Sequence, residues 1–350
     1  MQRNISAETT ILFIAHNDSE ETVMLYKNLI NQFYRNYNLI VIDLSPRQQA
    51  TDMLELIPDP RVMFIDVNLD FPEYKEQEII KKVLKDISTP FMIVCGRGPA
   101  IEPMGMEFFC MALRKAPANV LSVSYNLMRD DFVYGNQSYG LTEINNLTLY
   151  KTNKLVKAIS CVETYSKDYL NVLMEKVNGS YSLLDIGCGI CLYLDKILCN
   201  FIIALDIHRP YLENRQSRLP HIFPINADAL QINQLFLPKT VSTVLLNDTL
   251  EHFSKKNGLA LIQKVEDIAA NRVIVFTPRG FFKQERYDYY NLNGEQFQGH
   301  RSGWEVEEFL DLGFQVIIFK EMHDASNASF VHNYGTHHPP IDAIFAWKDL

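Results

Sequence analysis

At 350 residues the chain exceeds one ordinary domain, and 47% hydrophobic with 21% charged residues is the composition of a globular protein. A net charge of −9 with no stripe of lysine and arginine speaks against nucleic acid as the main partner, and no apolar run approaches the roughly 20 residues of a bilayer span. Six cysteines in no dense framework, behind a polar Met1 to Thr10 without a signal core, point to free thiols in a cytoplasmic protein.

In chain order, Thr10 to Ala15 reads as a buried strand, and His16 to Glu21 supplies capping residues for a helix carrying Val23, Leu25, Leu29, Ile30 and Phe33. Strands follow at Asn38 to Asp43, Arg61 to Asp66, Pro90 to Cys95 and Val120 to Tyr125, and helices at Gln48 to Leu56, Glu76 to Ile87 and Phe108 to Leu113. This alternation predicts a mostly parallel sheet covered on both faces. Residues 131–154 are polar, rich in Asn, Tyr and Gly, and weakly periodic; they are assigned as a linker between domains 1–130 and 155–350.

The first half resembles the nucleotide-sugar half of inverting family-2 glycosyltransferases of the GT-A fold. The matching pieces are Ile14 to Thr22, Leu39 to Ser45, Asp59 to Val62, Asn68 to Phe71, Thr89 to Val94 and Ile101 to Pro103. The resemblance implies an Asp-x-Asp pair after the fourth strand to hold a divalent cation. This chain has Cys95-Gly-Arg-Gly-Pro99 there, so a hard cation loses its oxygen ligands. A binding or scaffolding role is expected in place of sugar transfer, with Arg97 as the candidate to meet a phosphate.

The second half opens with a predicted helix from Leu155 to Val177, stopped by Asn178-Gly179. Leu183 to Ile186 is a strand that ends in Gly187-Cys-Gly189, and a helical pattern (Leu192, Leu194, Ile197) follows. Strand, glycine turn and helix form the opening of a nucleotide-binding α/β domain, where backbone amides approach a ligand closely. Further strands are expected at Phe201 to Asp206, Ile222 to Ile225, Val241 to Leu246, Arg272 to Phe276, Phe314 to Phe319 and Ala343 to Trp347. Helices are expected at Leu259 to Ala269 and Trp304 to Leu312. Asp206, ending its strand, is placed to accept bonds from ribose hydroxyls, and Asp228 from an adenine amine. Cys188-x-x-Cys191 has no second ligand pair, so no metal is assigned.

Leu184-Asp-Ile-Gly-Cys-Gly189, Asp206, Ala227-Asp228 and Leu250-Glu-His252 are similar to class I S-adenosylmethionine-dependent methyltransferases, from about residue 155 onward. The resemblance implies a seven-stranded Rossmann-like sheet closed by a hairpin of the last two strands, and S-adenosylmethionine as cofactor. Asp185 would hold the methionine ammonium, Gly187 and Gly189 would give close backbone contact, and Asp228 with Ala229 would meet the adenine. Asn247 and Asp248 would face the methyl group. A dinucleotide site is the competing reading. Its fingerprint needs a glycine where Leu192 stands, and Asp185 before the glycines favours a cationic ligand over a pyrophosphate.

A hydroxyl acceptor must lose a proton, and His252 and His300 are candidate bases beside Asp248. The segment Arg279 to Trp304 is too long and aromatic for a bare connection, and Arg279, Tyr287, Tyr289, Arg301 and Trp304 are its candidate acceptor contacts. Aromatic faces suit a sugar ring, and arginines a phosphate or carboxylate. The expected reaction is O-methylation of a saccharide, nucleotide-sugar or glycan-linked acceptor. A methyltransferase of a non-sugar small molecule and a non-catalytic binding protein are the alternatives.

Overall fold

A computed structural model describes residues 7–17, 19–46, 49–65, 76–96, 101, 104–126, 131–136, 144–145, 147–285 and 287–350. Asn68 to Phe71, Arg97, Glu102, Pro103 and Arg286 therefore lie outside the described residues. The chain is mixed α/β with two sheets, in two compact units, Met1–Ile159 and Ser160–Leu350.

The first unit runs β1 (Thr9–Ala15), α1 (Glu20–Ile30), β2 (Tyr37–Asp43), α2 (Gln49–Leu54), β3 (Val62–Ile65), α3 (Glu76–Leu84), β4 (Phe91–Cys95) and α4 (Gly105–Lys115). It continues through β5 (Val120–Asn126), β6 (Asp131–Asn136), β7 (Thr148–Lys151) and α5 (Thr152–Ile159). The sheet order is β3-β2-β1-β4-β7-β5-β6. The first four strands are parallel, and all of β1 is buried because helices leave neither sheet face open. Ile11 and Phe13 face one core, Leu12 and Ile14 the other. Within the expected capping stretch His16 to Glu21, Ser19 caps α1: its hydroxyl accepts from the Thr22 N–H.

The sheet is mixed, not mostly parallel. β7 runs antiparallel to β4 and β5, and β6 antiparallel to β5. These strands and the start of α5 fall in the 131–154 segment assigned as a linker. Its polar composition hid them, because β7 is only four residues long and takes its place through pairing with β4 and β5, remote in sequence.

The second unit comprises β8 (Cys161–Thr164), α6 (Tyr169–Val177), β9 (Ser182–Ile186), β10 (Phe201–Asp206), α7 (Arg209–Glu213), β11 (Ile222–Asn226), α8 (Ile232–Leu235) and β12 (Val241–Asn247). Then come α9 (Lys255–Ile268), β13 (Ala269–Pro278), α10 (Glu295–Gln298), α11 (Val306–Asp311), β14 (Gln315–His323), α12 (Ala328–Tyr334) and β15 (Ile341–Asp349). The order β11-β10-β9-β12-β13-β15-β14-β8 contains the expected seven strands, with β15 antiparallel to both β13 and β14. An eighth strand, β8, is added parallel to β14. It interrupts the helix expected from Leu155 to Val177: residues 161–164 pair with β14, and Asp168 caps a new helix by accepting from the Asn171 N–H.

The helix expected after the glycine turn is also absent. Cys191 sits in the left-handed region (φ 55°), which ends any helical course, and only a 3-10 turn, Leu194–Lys196, follows. Ser217 holds this segment, donating to the Cys191 carbonyl (2.6 Å) and accepting from the Asp195 N–H (3.1 Å). Strand order reverses between β9 and β12, the crevice where doubly wound sheets bind ligands at their carboxyl edge. No helix among the described residues is long and apolar enough to cross a membrane.

Candidate active site

The glycine turn folds back on the next strand. The N–H groups of Gly187 and Cys188 donate to the Leu205 carbonyl, and the Gly189 N–H donates to Asp206 Oδ2 (2.9 Å). Gly187 has φ 74°, and a Cβ there would lie 2.6 Å from Thr249 Oγ1, so both backbone and packing demand glycine. Gly189 has φ 54° and open space where its Cβ would be, which leaves room for a ligand against the backbone. With no helix following, the turn has no helix dipole, and its three amides are already engaged by Leu205 and Asp206.

Asp185 is buried beneath this turn. Its Oδ2 accepts from the Tyr193 hydroxyl (3.4 Å), while its Oδ1 has no partner among the described residues. Burial first, with the Asp206 charge adding, pushes its pKa up to about 7. Asp206 accepts from Gly189 and, through Oδ1, from the His208 N–H (2.7 Å); burial holds its pKa above the ordinary value. Asp228 caps the turn Ala229–Gln231 by accepting from the Leu230 N–H (2.9 Å). Asn247 Oδ1 is another buried atom without a partner among the described residues, and Asn247 Nδ2 donates to Asp248 Oδ2 (3.1 Å). Asp248 has φ 47°, a strained conformation for a residue with a Cβ. It is exposed to the cavity, and desolvation by the protein around that cavity pushes its pKa up to about 7.

These residues border a cavity of about 1030 Å³. One wall is the carboxyl edge of the sheet: Gly187, Gly189, Asp206, Asp228, Ala229, Asn247 and Asp248. Asp185 sits behind it. The opposite wall comes from the segment after β13 and from the end of β14 with α12. It includes Phe282, Gln284, Tyr289, Tyr290, Phe297, His300, Arg301, His323 and Ser329. That segment is anchored by His208, whose Nε2 donates to the Leu292 carbonyl (2.8 Å), and by Asp288, which accepts from the N–H groups of Leu292 and Asn293. The Tyr289 hydroxyl meets Ser329 Oγ (3.1 Å).

His252 and His300 come together, ring centroids 4.8 Å apart and edge to face. His300 Nδ1 donates to the Phe282 carbonyl (2.8 Å), and His252 Nδ1 to the Gly299 carbonyl (3.4 Å). Burial pulls His252 down to about 4 and His300 to about 3, so both imidazoles are neutral near pH 7. That makes them weaker proton acceptors than free histidine.

Three expected acceptor contacts stand elsewhere. Trp304 is fully buried against Phe309 and over Gly258, where an added Cβ would lie 2.6 Å from the indole; its bulk and apolar face place it in the core. Arg279 is drawn to Glu305 and Asp342 (3.4 Å each). Tyr287 stands half-exposed outside the cavity, against His332. Tyr289 and Arg301 do line it. Sequence reasoning missed Tyr169 and Tyr193, and read His323 only as the start of a second irregular stretch, His323 to Pro340, beside the same mouth. Tyr193 falls in the stretch read as helix, and it gains its place only through tertiary packing.

No protein-family model matches the chain, and no curated protein matches it in sequence. Among solved structures it is similar to a SAM-dependent methyltransferase from Archaeoglobus fulgidus, at 19% identity over 52% of this chain and 92% of that one, with a TM-score of 0.35. It is also similar to the N-methyltransferase NodS from Bradyrhizobium japonicum WM9 in complex with S-adenosyl-L-homocysteine, at 15% identity over 52% and 84% of the chains, with a TM-score of 0.37. At these scores the likenesses decide nothing about the chemistry.

Proposed function

We propose that the second unit binds S-adenosylmethionine and methylates an oxygen of a saccharide, nucleotide-sugar or glycan-linked acceptor. The observation that carries the cofactor is the buried Asp185 Oδ1, which has no partner among the described residues and lies beneath a glycine turn, with Asp206 ending the adjacent strand and Asp228 following the next. A buried carboxylate left unpaired is costly, and a cationic ligand group removes that cost. The same acids would repel a pyrophosphate, and no helix N-terminus stands at the turn to receive one.

The residues fit the group. Asp185 would hold the ammonium, Asp206 the ribose hydroxyls, and Asp228 with Ala229 the adenine edge. The unpaired Asn247 Oδ1 adds an acceptor beside Asp185's strand. When bound, the cofactor supplies a methyl group already activated on a sulfonium. The protein's own task is to align an acceptor and exclude water. Tyr289, Tyr290 and Phe297 give the opposite wall its aromatic faces, and Gln284, Gln298 and Arg301 its polar groups. This mixture supports a saccharide acceptor. Asp248, open to the cavity just beyond β12, would take the proton of an acceptor hydroxyl, with His252 and His300 also on the cavity wall. For the first unit, the parallel β3-β2-β1-β4 core supports a nucleotide-sugar binding or scaffolding role.

Calorimetry with S-adenosylmethionine tests the cofactor: saturable binding is expected, and none at millimolar ligand would sink the reading. A screen with labelled methyl groups over sugar nucleotides, glycans and non-sugar alcohols tests the acceptor. Transfer only to the non-sugar set would favour the competing substrate class.

A further inference from the structure

One cluster on the cavity wall is not needed to hold the cofactor. Glu251, His252 and His300 each offer one donor atom, and these atoms lie within 4.8 Å of one another. Two remote segments make the cluster. Glu251 and His252 sit on the 3-10 turn after β12, and His300 comes from the segment before α11. The Glu251 carbonyl accepts from the N–H groups of Arg301 (2.7 Å) and Ser302 (3.2 Å), and this backbone clasp fixes His300 beside the turn.

Each side chain is also oriented from behind. Nδ1 of His300 donates to the Phe282 carbonyl, Nδ1 of His252 to the Gly299 carbonyl, and Glu251 Oε2 accepts from Thr277 Oγ1 (2.9 Å). Bonds of this kind fix ring tautomer and direction in metal sites. Among the described residues, no hydrogen bond joins the three side chains to one another, so the cluster is not a self-contained polar network. Ligands of one tetrahedral ion lie about 3.3 Å apart for metal–ligand bonds of about 2.0–2.1 Å, within a small side-chain adjustment of this spacing.

We propose that Glu251, His252 and His300 form a binding site for a divalent transition-metal ion, open toward the cavity. Two imidazoles and one carboxylate suit zinc, iron(II), cobalt or manganese over calcium or magnesium. All three residues line the cavity, so the open positions face the space in which an acceptor would lie. An ion there would orient an acceptor oxygen and lower its proton affinity. That role rests on the methyltransferase reading, whereas the metal site stands on the cluster alone. The sequence named His252 and His300 as candidate bases but not Glu251 as a donor beside them, because the two segments are distant along the chain.

The test titrates cobalt(II) alone into the full chain after chelator treatment, followed by calorimetry and visible absorption. One ion per chain is expected, displaced by zinc. His300→Ala and His252→Ala should each weaken binding by about 100-fold, and Thr277→Val by about 10-fold. Far-UV circular dichroism checks each fold, and His300→Gln replaces a variant that does not fold. No saturable binding by the wild-type chain, or binding unchanged in both histidine variants, would overturn the site. S-adenosylmethionine is titrated into the same metal-free protein. Cofactor binding without cobalt binding removes the metal site only, and cobalt binding without cofactor binding removes the methyltransferase reading only.

Discussion

The two walls of the cavity are built in different ways. The sheet-edge wall consists of residues at or just beyond the ends of adjacent strands, held by main-chain pairing: Leu205 opposite Ile186, Asp206 opposite Asn226. The facing wall consists of side chains from segments far apart in the sequence, held by caps, ring contacts and single hydrogen bonds such as His208 to Leu292. The first kind of wall keeps its geometry whatever the loops do. The second depends on each anchor, which suits a surface that must fit one particular acceptor.

Trp304 gives the widest separation between the walls. Its main chain clasps Gly280 on both sides of the segment, and its ring is fully buried. Trp304→Ala should cost about 3–5 kcal/mol of stability by chemical denaturation, while the folded fraction keeps its cofactor affinity. Loss of both together would break the comparison. Next in size, Asp206→Ala removes two ribose bonds of about 1.5 kcal/mol each and should weaken S-adenosylmethionine binding by about 100-fold. Unchanged calorimetric affinity would refute the ribose assignment.

Asp185→Asn should cost about 10-fold in affinity above neutral pH and less below it. The sign follows from burial, which pushes the carboxyl up to about 7 from an ordinary 3.8. In the ligand-free protein its contribution to stability is fully present below the unfolded value and is lost as pH rises through about 7. A cationic ligand needs the ionised form, so wild-type affinity should rise through about pH 7, and the variant should lose that rise. A flat wild-type profile would remove the ammonium contact. The smallest effects lie on the facing wall. Tyr289→Phe should raise acceptor KM by about 5-fold with the cofactor Kd unchanged. Arg279→Ala should leave acceptor KM unchanged and cost at most about 1 kcal/mol, since its guanidinium serves a partly exposed ion pair. A KM effect at Arg279 would return it to the acceptor site.

Much of the strand framework was legible because buried parallel strands read as unbroken apolar runs, as in Ile11 to Ala15 and Ile202 to Leu205. β6, β7 and β8 were not: β6 is a polar strand paired with its neighbour β5, and β7 and β8 are four-residue strands that exist through pairing with strands distant along the chain. The helix after Gly189 was misread for a related reason: its apolar spacing is helical, but the left-handed Cys191 and the Ser217 contacts override it.

The amino-acid sequence alone located the glycine turn and the acids at 185, 206 and 228, since they stand at or just beyond strand ends that the local pattern reveals. It also located the segment from which the facing wall is drawn. Only the tertiary structure decided which of that segment's residues face inward: Tyr289 and Arg301 do, Trp304 is core, and Arg279 and Tyr287 turn away. Only it joined Glu251 and His252 to His300, through a clasp between segments the chain keeps far apart. Local propensity fixes what a strand end presents, but the direction of a side chain on a long connection is set by the contacts that anchor it.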